Sequence, residues 1–180
     1  MIPLCFLSLD FKNAFVRIAH NYPFQTLQAD GIGNAFIAGI KRMYEFATSS
    51  VQINGHQYGT IPILCVLRHG FPMTKVFYAL CLHPLIRLLD LKLPGIRIWH
   101  RRHPTSVVAY ADDVNIFVTS GADFIIEEVI RLYERASGAH LNPRQSKALA
   151  VGSWCTQEVV LGIAYHPHVT ILGFTFWGTI

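Results

Sequence analysis

The chain has 180 residues, of which 52% are hydrophobic and only 14% charged, against a usual charged share of about 25%. This excludes a disordered tail, a collagen-like repeat and a highly charged coiled coil, and leaves a core-rich globular chain of one-domain size. Fifteen Lys and Arg against eleven Asp and Glu give a formal charge of +4, compatible with a polyanionic partner but too small to require one.

In chain order, the apolar run Ile2 to Leu9 predicts a buried strand that stops at Asp10. A carboxylate at the end of such a strand can face water while the strand stays in the core. Phe11 to Gln28 is mixed in character, with Pro23 as a breaker. Gly33 to Phe46 predicts an amphipathic helix with Phe36, Ile37, Ile40, Met43 and Tyr44 on its apolar face and Lys41, Arg42 and Glu45 opposite. Val51 and Ile53 then lead into Asn54-Gly55, a hairpin-turn dipeptide.

After Gly70 and Pro72, Thr74 to Leu91 predicts a long, largely buried helix containing Pro84. A strand is expected over Gly95 to Trp99, a turn at Arg101 to His103, and two strands from Ser106 to Thr119 around Asp112 and Asp113. Phe124 to Ala136 is the clearest helix, with Ile125, Val129, Leu132 and Tyr133 on one face and Gly138 placed to end it. Short strands follow at Lys147 to Val151 and Val169 to Trp177. Strands alternating with helices make one compact α+β domain spanning residues 1–180.

Cys5, Cys65, Cys81 and Cys155 stand far apart with no C-x-x-C pair, so free buried thiols of an intracellular protein are expected rather than a disulfide framework or a zinc ribbon. Neither a membrane span nor a basic leader is expected, and nucleus and cytoplasm are not distinguished. His100 with His103, and His166 with His168, lack accompanying ligands at zinc spacing and are expected to be loop residues. The pairs Lys41-Arg42 and Arg101-Arg102 are expected on solvated faces, and Tyr22, Trp99, Trp154 and Trp177 in packing.

The chemistry concentrates in Val107 to Val118, VVAYADDVNIFV. Two adjacent aspartates between β-rich runs place like charges at a hairpin tip, an arrangement that a cation would neutralise. Open oxygen-rich sites suit Mg²⁺, and a pair of such ions needs a further carboxylate from elsewhere, for which Asp10 is the candidate. Taken alone, Asp112 and Asp113 are equally well explained as turn residues.

Five ordered segments resemble the palm of a reverse transcriptase of the non-LTR (LINE-like) retrotransposon type. They are SLDFKNAF (Ser8 to Phe15), LRHGFPMTKVFYALCLHPLI (Leu67 to Ile86), YADDV (Tyr110 to Val114), SGAHLNPRQSKAL (Ser137 to Leu149) and ILGFTF (Ile171 to Phe176). The resemblance implies a ferredoxin-like palm, an antiparallel sheet with helices on one face, with fingers and thumb largely absent from the chain. It further implies Asp10, Asp112 and Asp113 as catalytic carboxylates binding Mg²⁺, which Mn²⁺ can replace, with the Phe11 carbonyl as an extra ligand. By the same resemblance Phe11, Phe15, Arg68, His69 and Gly70 line the nucleotide site, with Phe15 excluding a 2′-hydroxyl, and Leu172 and Gly173 support the primer. The implied partners are an RNA or DNA template, a DNA primer and dNTPs.

Departures from the pattern accompany the matches. His69 stands where Gln is usual, Thr74 and Lys75 where Ser-Pro is usual, and Val16 where an acidic residue is common. Gln145 replaces a lysine three positions after Asn142, and Lys147 lies two positions further on. A neutral amide cannot protonate a departing pyrophosphate. The alternatives are a catalytically silent relic with non-specific nucleic-acid binding, or another palm enzyme such as an RNA-dependent RNA polymerase or a nucleotide cyclase, against which Phe15 speaks.

Overall fold

The computed structural model describes residues 3–12, 17–19, 21–45, 48–62, 74–97, 103–119, 123–154, 161–171 and 173–178. Its centre is a four-stranded sheet of β1 (Leu4–Leu9), β4 (Val107–Tyr110), β5 (Asp113–Thr119) and β6 (Lys147–Val151). The spatial order is β4-β5-β1-β6, and every neighbouring pair is antiparallel. The helix α3 (Thr74–Lys92) lies between β1 and β4 in the chain, and α4 (Asp123–Ser137) between β5 and β6. That order and connectivity are those of the split β-α-β-β-α-β motif, so the α+β, ferredoxin-like expectation holds.

Alternation along the strands decides which side the helices take. Cys5, Leu7 and Leu9 of β1 and Val114, Ile116 and Val118 of β5 join one buried cluster with Phe77, Cys81, Leu85 and Leu89 of α3 and Ile126, Val129 and Ile130 of α4. The opposite face carries Ser8, Asn115 and Lys147 in one cross-strand row. Further along, Phe6, Phe117 and Leu149 pack on Val169 and Ile171. The last two belong to β7 (His168–Ile171), which pairs with β8 (Phe174–Trp177) and covers that end of the face. Nearer Asp10 the same face carries polar side chains, of which Lys147 is exposed, Ser8 half-buried and Asn115 buried.

Three local expectations are corrected. Pro23 does not break the chain but sits in the first turn of α1 (Tyr22–Ala29), where its missing N–H has no intrahelical partner to lose. In α2 (Asn34–Glu45) Ile37 and Ile40 are the buried members of the expected face among those whose side chains are described, which leaves out Tyr44. Phe36 and Met43 are 55% and 57% exposed, because the helix packs against α1 along a narrow line. In α4 the buried line runs Ile126, Val129, Ile130 and Tyr133, and Leu132 points outward at 44% exposure.

Elsewhere the expectations hold but for one strand. Asn54 and Gly55 both take positive φ, +50° and +81°, in the turn between β2 (Thr48–Ile53) and β3 (His56–Pro62), as a two-residue hairpin loop that follows strand twist requires. Pro84 lies within α3 without ending it. The strand expected over Gly95 to Trp99 is not formed over its described part: Ile96 makes an isolated bridge to Thr105, Gly95 and Arg97 on either side are in no strand, and Ile98 and Trp99 lie outside the described residues. Cys5 and Cys81 are buried free thiols, while Cys65 and Cys155 lie outside the described residues. Among the described residues no helix is long and apolar enough to cross a membrane.

Candidate active site at the end of β1 and the β4–β5 turn

Register brings the distant carboxylates together. Leu9 pairs with Val114, so Asp10, the residue after Leu9, leaves the end of β1 on the same side as Asp113, the residue before Val114. Tyr110 pairs with Asp113, which leaves Ala111 and Asp112 as a two-residue loop. Ala111 takes φ +53° there, a left-handed conformation that costs a residue bearing a Cβ on the order of 1 kcal/mol and is concentrated at functional turns. Because Leu9 and Val114 face the helices, alternation turns Asp10 and Asp113 to the side of the sheet away from them.

Asp112 and Asp113 are exposed and Asp10 is half-buried. Burial raises the Asp113 carboxyl above its ordinary range, and the neighbouring charges of Asp112 and then Asp10 push it further the same way. Among the described residues none of the three carboxylates takes part in a salt bridge. Tyr78 of α3 lies beneath them in the core, its hydroxyl raised by burial first, then by Asp112, Cys81 and Asp10.

Asp10 is the most firmly held of the three. Its backbone N–H donates to Ser146 Oγ at 2.9 Å, its carbonyl accepts from the Asn142 N–H at 2.8 Å, and its carboxylate Oδ2 accepts from Asn142 Nδ2 at 3.2 Å. Asn142 Nδ2 also donates to Gln145 Oε1. Ser146 Oγ donates in turn to the Asn142 carbonyl at 2.9 Å. The roles of Asn142 and Ser146 were not legible from motif spacing, since the turn that carries them meets β1 only through tertiary pairing.

Phe11 is buried, its ring 5.7 Å from that of Tyr133. It forms an antiparallel bridge with Leu141 whose bonds run from Lys12 N–H to the His140 carbonyl and from Asn142 N–H to the Asp10 carbonyl. In such a pair the bridging residue's own carbonyl points away from its partner segment. Gln145 lies in a turn ahead of β6 and not in a strand, so it and Lys147 are not two positions along one strand. Lys147 opens β6 opposite Ser8, exposed on the carboxylate face. Gly173, at φ +84°, makes the β7–β8 turn. Phe15, Arg68, His69, Gly70 and Leu172 lie outside the described residues, as do Val16, Trp99 and His100.

The other candidates resolve into packing or surface. Tyr22 is buried and Trp154 donates to the Tyr165 hydroxyl at 2.8 Å. His168 lies against the exposed Trp177 ring at 5.0 Å, His103 is exposed, and Lys41 stands over Phe24.

Against this geometry, a family model described as reverse transcriptase (RNA-dependent DNA polymerase) matches residues 3–176. The chain belongs to the reverse transcriptase family. A Xenopus laevis protein, the transposon TX1 uncharacterized 149 kDa protein, is 33% identical over 153 residues, which cover 84% of this chain and 12% of that relative. The reverse transcriptase chain therefore spans about an eighth of the relative's length. The likeness to a retrotransposon reverse transcriptase read from its five segments stands.

A divalent metal is what the family implies at such a site. Three carboxylates supply hard oxygen donors of the kind Mg²⁺ takes, and among the described residues none of the three has an ion-pair partner. The donor set fits. Among the described residues, however, no group of three or more His, Cys, Asp or Glu is gathered closely enough to hold an ion, so the carboxylates share a strand end without forming a closed cage.

The Asp113 shift has a direct consequence for stability. A carboxyl raised in the folded state binds its proton more tightly there than in the unfolded chain, so stability falls as pH rises from the ordinary carboxylate range through the folded value. Asp113→Asn removes that penalty. Thermal melts are expected to show a higher midpoint than wild type at pH 7, with the difference closing below roughly pH 4. Equal midpoints at pH 7 would show that Asp113 bears no such penalty.

Proposed function

We propose that this chain is the palm of a LINE-like retroelement polymerase that copies an RNA or DNA template by joining dNTPs to the 3′-hydroxyl of a DNA primer. The observation that supports the reading is the register of β1 on β5, Leu9 on Val114, which brings the end of β1 at Asp10 to the end of β5 where the Asp112-Asp113 turn lies. Asp10, Asp112 and Asp113 are the residues that would hold Mg²⁺, joined by the Phe11 carbonyl, which the bridge to Leu141 leaves unused. A metal held there would supply Lewis acidity to the primer hydroxyl and the triphosphate.

The chain's own groups do the rest. Asp10 is oriented by Asn142 and Ser146 before any substrate arrives, which reduces reorganisation during reaction. Lys147 offers a cation on the carboxylate face, one cross-strand row from Asp10, for the negative charge of the triphosphate. Phe15, Arg68, His69 and Gly70 are proposed to line the nucleotide and template side, with Phe15 against the sugar, and Leu172 and Gly173 to lie near the primer end.

A second reading, a silent relic with salt-sensitive nucleic-acid binding, is favoured by one observation. Gln145, at the usual lysine position, is engaged with Asn142 and brings no proton donor of lysine type to the face. Primer extension by the natural polypeptide carrying this chain separates the two. With a primed RNA template, dNTPs and Mg²⁺, the polymerase reading expects incorporation that EDTA stops. Salt-sensitive binding without incorporation would overturn it in favour of the relic.

A further inference from the structure

The substitution of Gln for Lys at position 145 has a structural correlate that points beyond loss of a proton donor. Asn142 Nδ2 carries two hydrogens, and both are directed: one to Asp10 Oδ2 at 3.2 Å, the other to Gln145 Oε1. We infer that Gln145 is a positioning residue, which fixes the Asn142 amide so that its N–H₂ end, and not its carbonyl end, faces the Asp10 carboxylate. This deepens the metal reading proposed above and rests on it.

The argument is one of donor and acceptor inventory. An asparagine amide can turn over about its last bond, presenting either Nδ2 or Oδ1 to a neighbour, and its hydrogen-bond partners decide which. Facing Asp10 with Oδ1 would set an acceptor against a carboxylate. Gln145 supplies an acceptor on the second Nδ2 hydrogen and so favours the orientation that stabilises Asp10. A lysine ammonium has only donors and offers the second Nδ2 hydrogen no acceptor. The neutral Gln145 is therefore matched to Asn142 in a way that the lysine it replaces is not.

Burial and backbone geometry give the relay something rigid to act through. Asn142 and Ser146 are 8% and 2% exposed. The turn between them is closed by bonds from the Gln145 and Ser146 N–H groups to the Asn142 carbonyl, at 3.1 and 2.9 Å. Its first residue is stitched to the Asp10 backbone and its last accepts the Asp10 N–H. The backbone bonds survive loss of the Gln145 side chain, so the expected effect of that loss falls on the Asp10 carboxylate and not on the fold. Gln145 itself is exposed, which makes it replaceable without a core defect.

The test is Mn²⁺ binding to the chain, measured by titration with the metal alone, together with thermal melting. Gln145→Leu is expected to weaken Mn²⁺ binding about tenfold, the low end of what residues behind a metal ligand contribute, with an unchanged melting midpoint. Asn142→Ala is expected to weaken it as much, and the double variant no further, because Gln145 acts only through Asn142. The Asn142 side-chain amide protons should exchange with water faster in Gln145→Leu than in the wild type. That measurement serves equally well where Asn142→Ala does not fold.

Wild-type Mn²⁺ affinity in Gln145→Leu, independent effects that add in the double variant, or unaltered amide exchange would each overturn the positioning role. If those results came with loss of Mn²⁺ binding in Asp10→Asn, the metal reading would stand alone. No Mn²⁺ binding by the wild type, or full binding by Asp10→Asn, would remove the metal reading and this inference with it.

Discussion

Asp10→Asn is expected to reduce metal-dependent primer extension by the natural polypeptide by about 10³-fold or more, a loss at or beyond the upper end of what one group stabilising developing charge supplies. The substitution isolates charge from shape. An asparagine at position 10 keeps the backbone N–H that donates to Ser146 Oγ and the carbonyl that accepts from Asn142, and its Oδ1 can still accept from Asn142 Nδ2. What disappears is one of three negative charges at the strand end. On the proposed reading those charges hold the divalent ion, so extension should collapse while the circular-dichroism melt stays near that of the wild type.

Asp112→Asn should behave alike, because Asp112 stands exposed at the hairpin turn with little packing to lose. Asp30→Asn is the control. That carboxylate, at the end of α1, contacts His83 of α3 at 3.1 Å on a different part of the molecule, and its neutralisation should leave extension unaltered. Initial rates of dNTP incorporation at saturating template decide the matter. Undiminished synthesis by Asp10→Asn would remove Asp10 from the metal site.

Why this constellation could be read from sequence, and its support could not, follows from the range of the interactions. The strand ending at Asp10 and the Asp112-Asp113 hairpin are local signals, set by apolar runs that stop at carboxylates. Their meeting is a register fact, Leu9 on Val114, anticipated only indirectly, by the need of a metal pair for a further carboxylate and by the resemblance to a known palm. The Asn142 contact depends on a turn crossing to the end of β1 from more than a hundred residues away, which no periodicity encodes.

Helix faces show the opposite case. In α4 the line from Ile125 includes Glu128, whereas the line from Ile126 is apolar at 126, 129, 130 and 133. The correct face was present in the pattern and was obscured by Leu132. For α2 the pattern was sound, but burial follows the neighbours available, and packing on α1 goes with burial of Ile37 and Ile40 and exposure of Phe36 and Met43. Pro23 shows how a residue that disrupts a helix interior can begin one, because the first turn needs no N–H from it.

The largest stability loss is expected in the strand that delivers Asp10. Leu7→Ala should lower the free energy of unfolding by about 3 kcal/mol, within the 2–5 kcal/mol typical of a buried Leu truncated to Ala. Leu7 has no solvent exposure and lies in β1, paired with Ile116 on one side and Ala148 on the other, under the helices. Ala148 is too small to fill the space left by the lost carbons, and Ile116 is held by its own strand, so the cavity should persist.

A loss of that size is a large fraction of the roughly 5–15 kcal/mol that stabilises an ordinary domain. Urea denaturation should show a lower midpoint with an unchanged slope. Phe174→Ser, on a side chain 72% exposed in β8, should shift the midpoint far less, within about 0.5 kcal/mol. The contrast tests the fold independently of any metal or nucleotide. Were Leu7→Ala as stable as Phe174→Ser, β1 could not be the buried central strand, and the register that sets Asp10 beside Asp113 would lose its foundation.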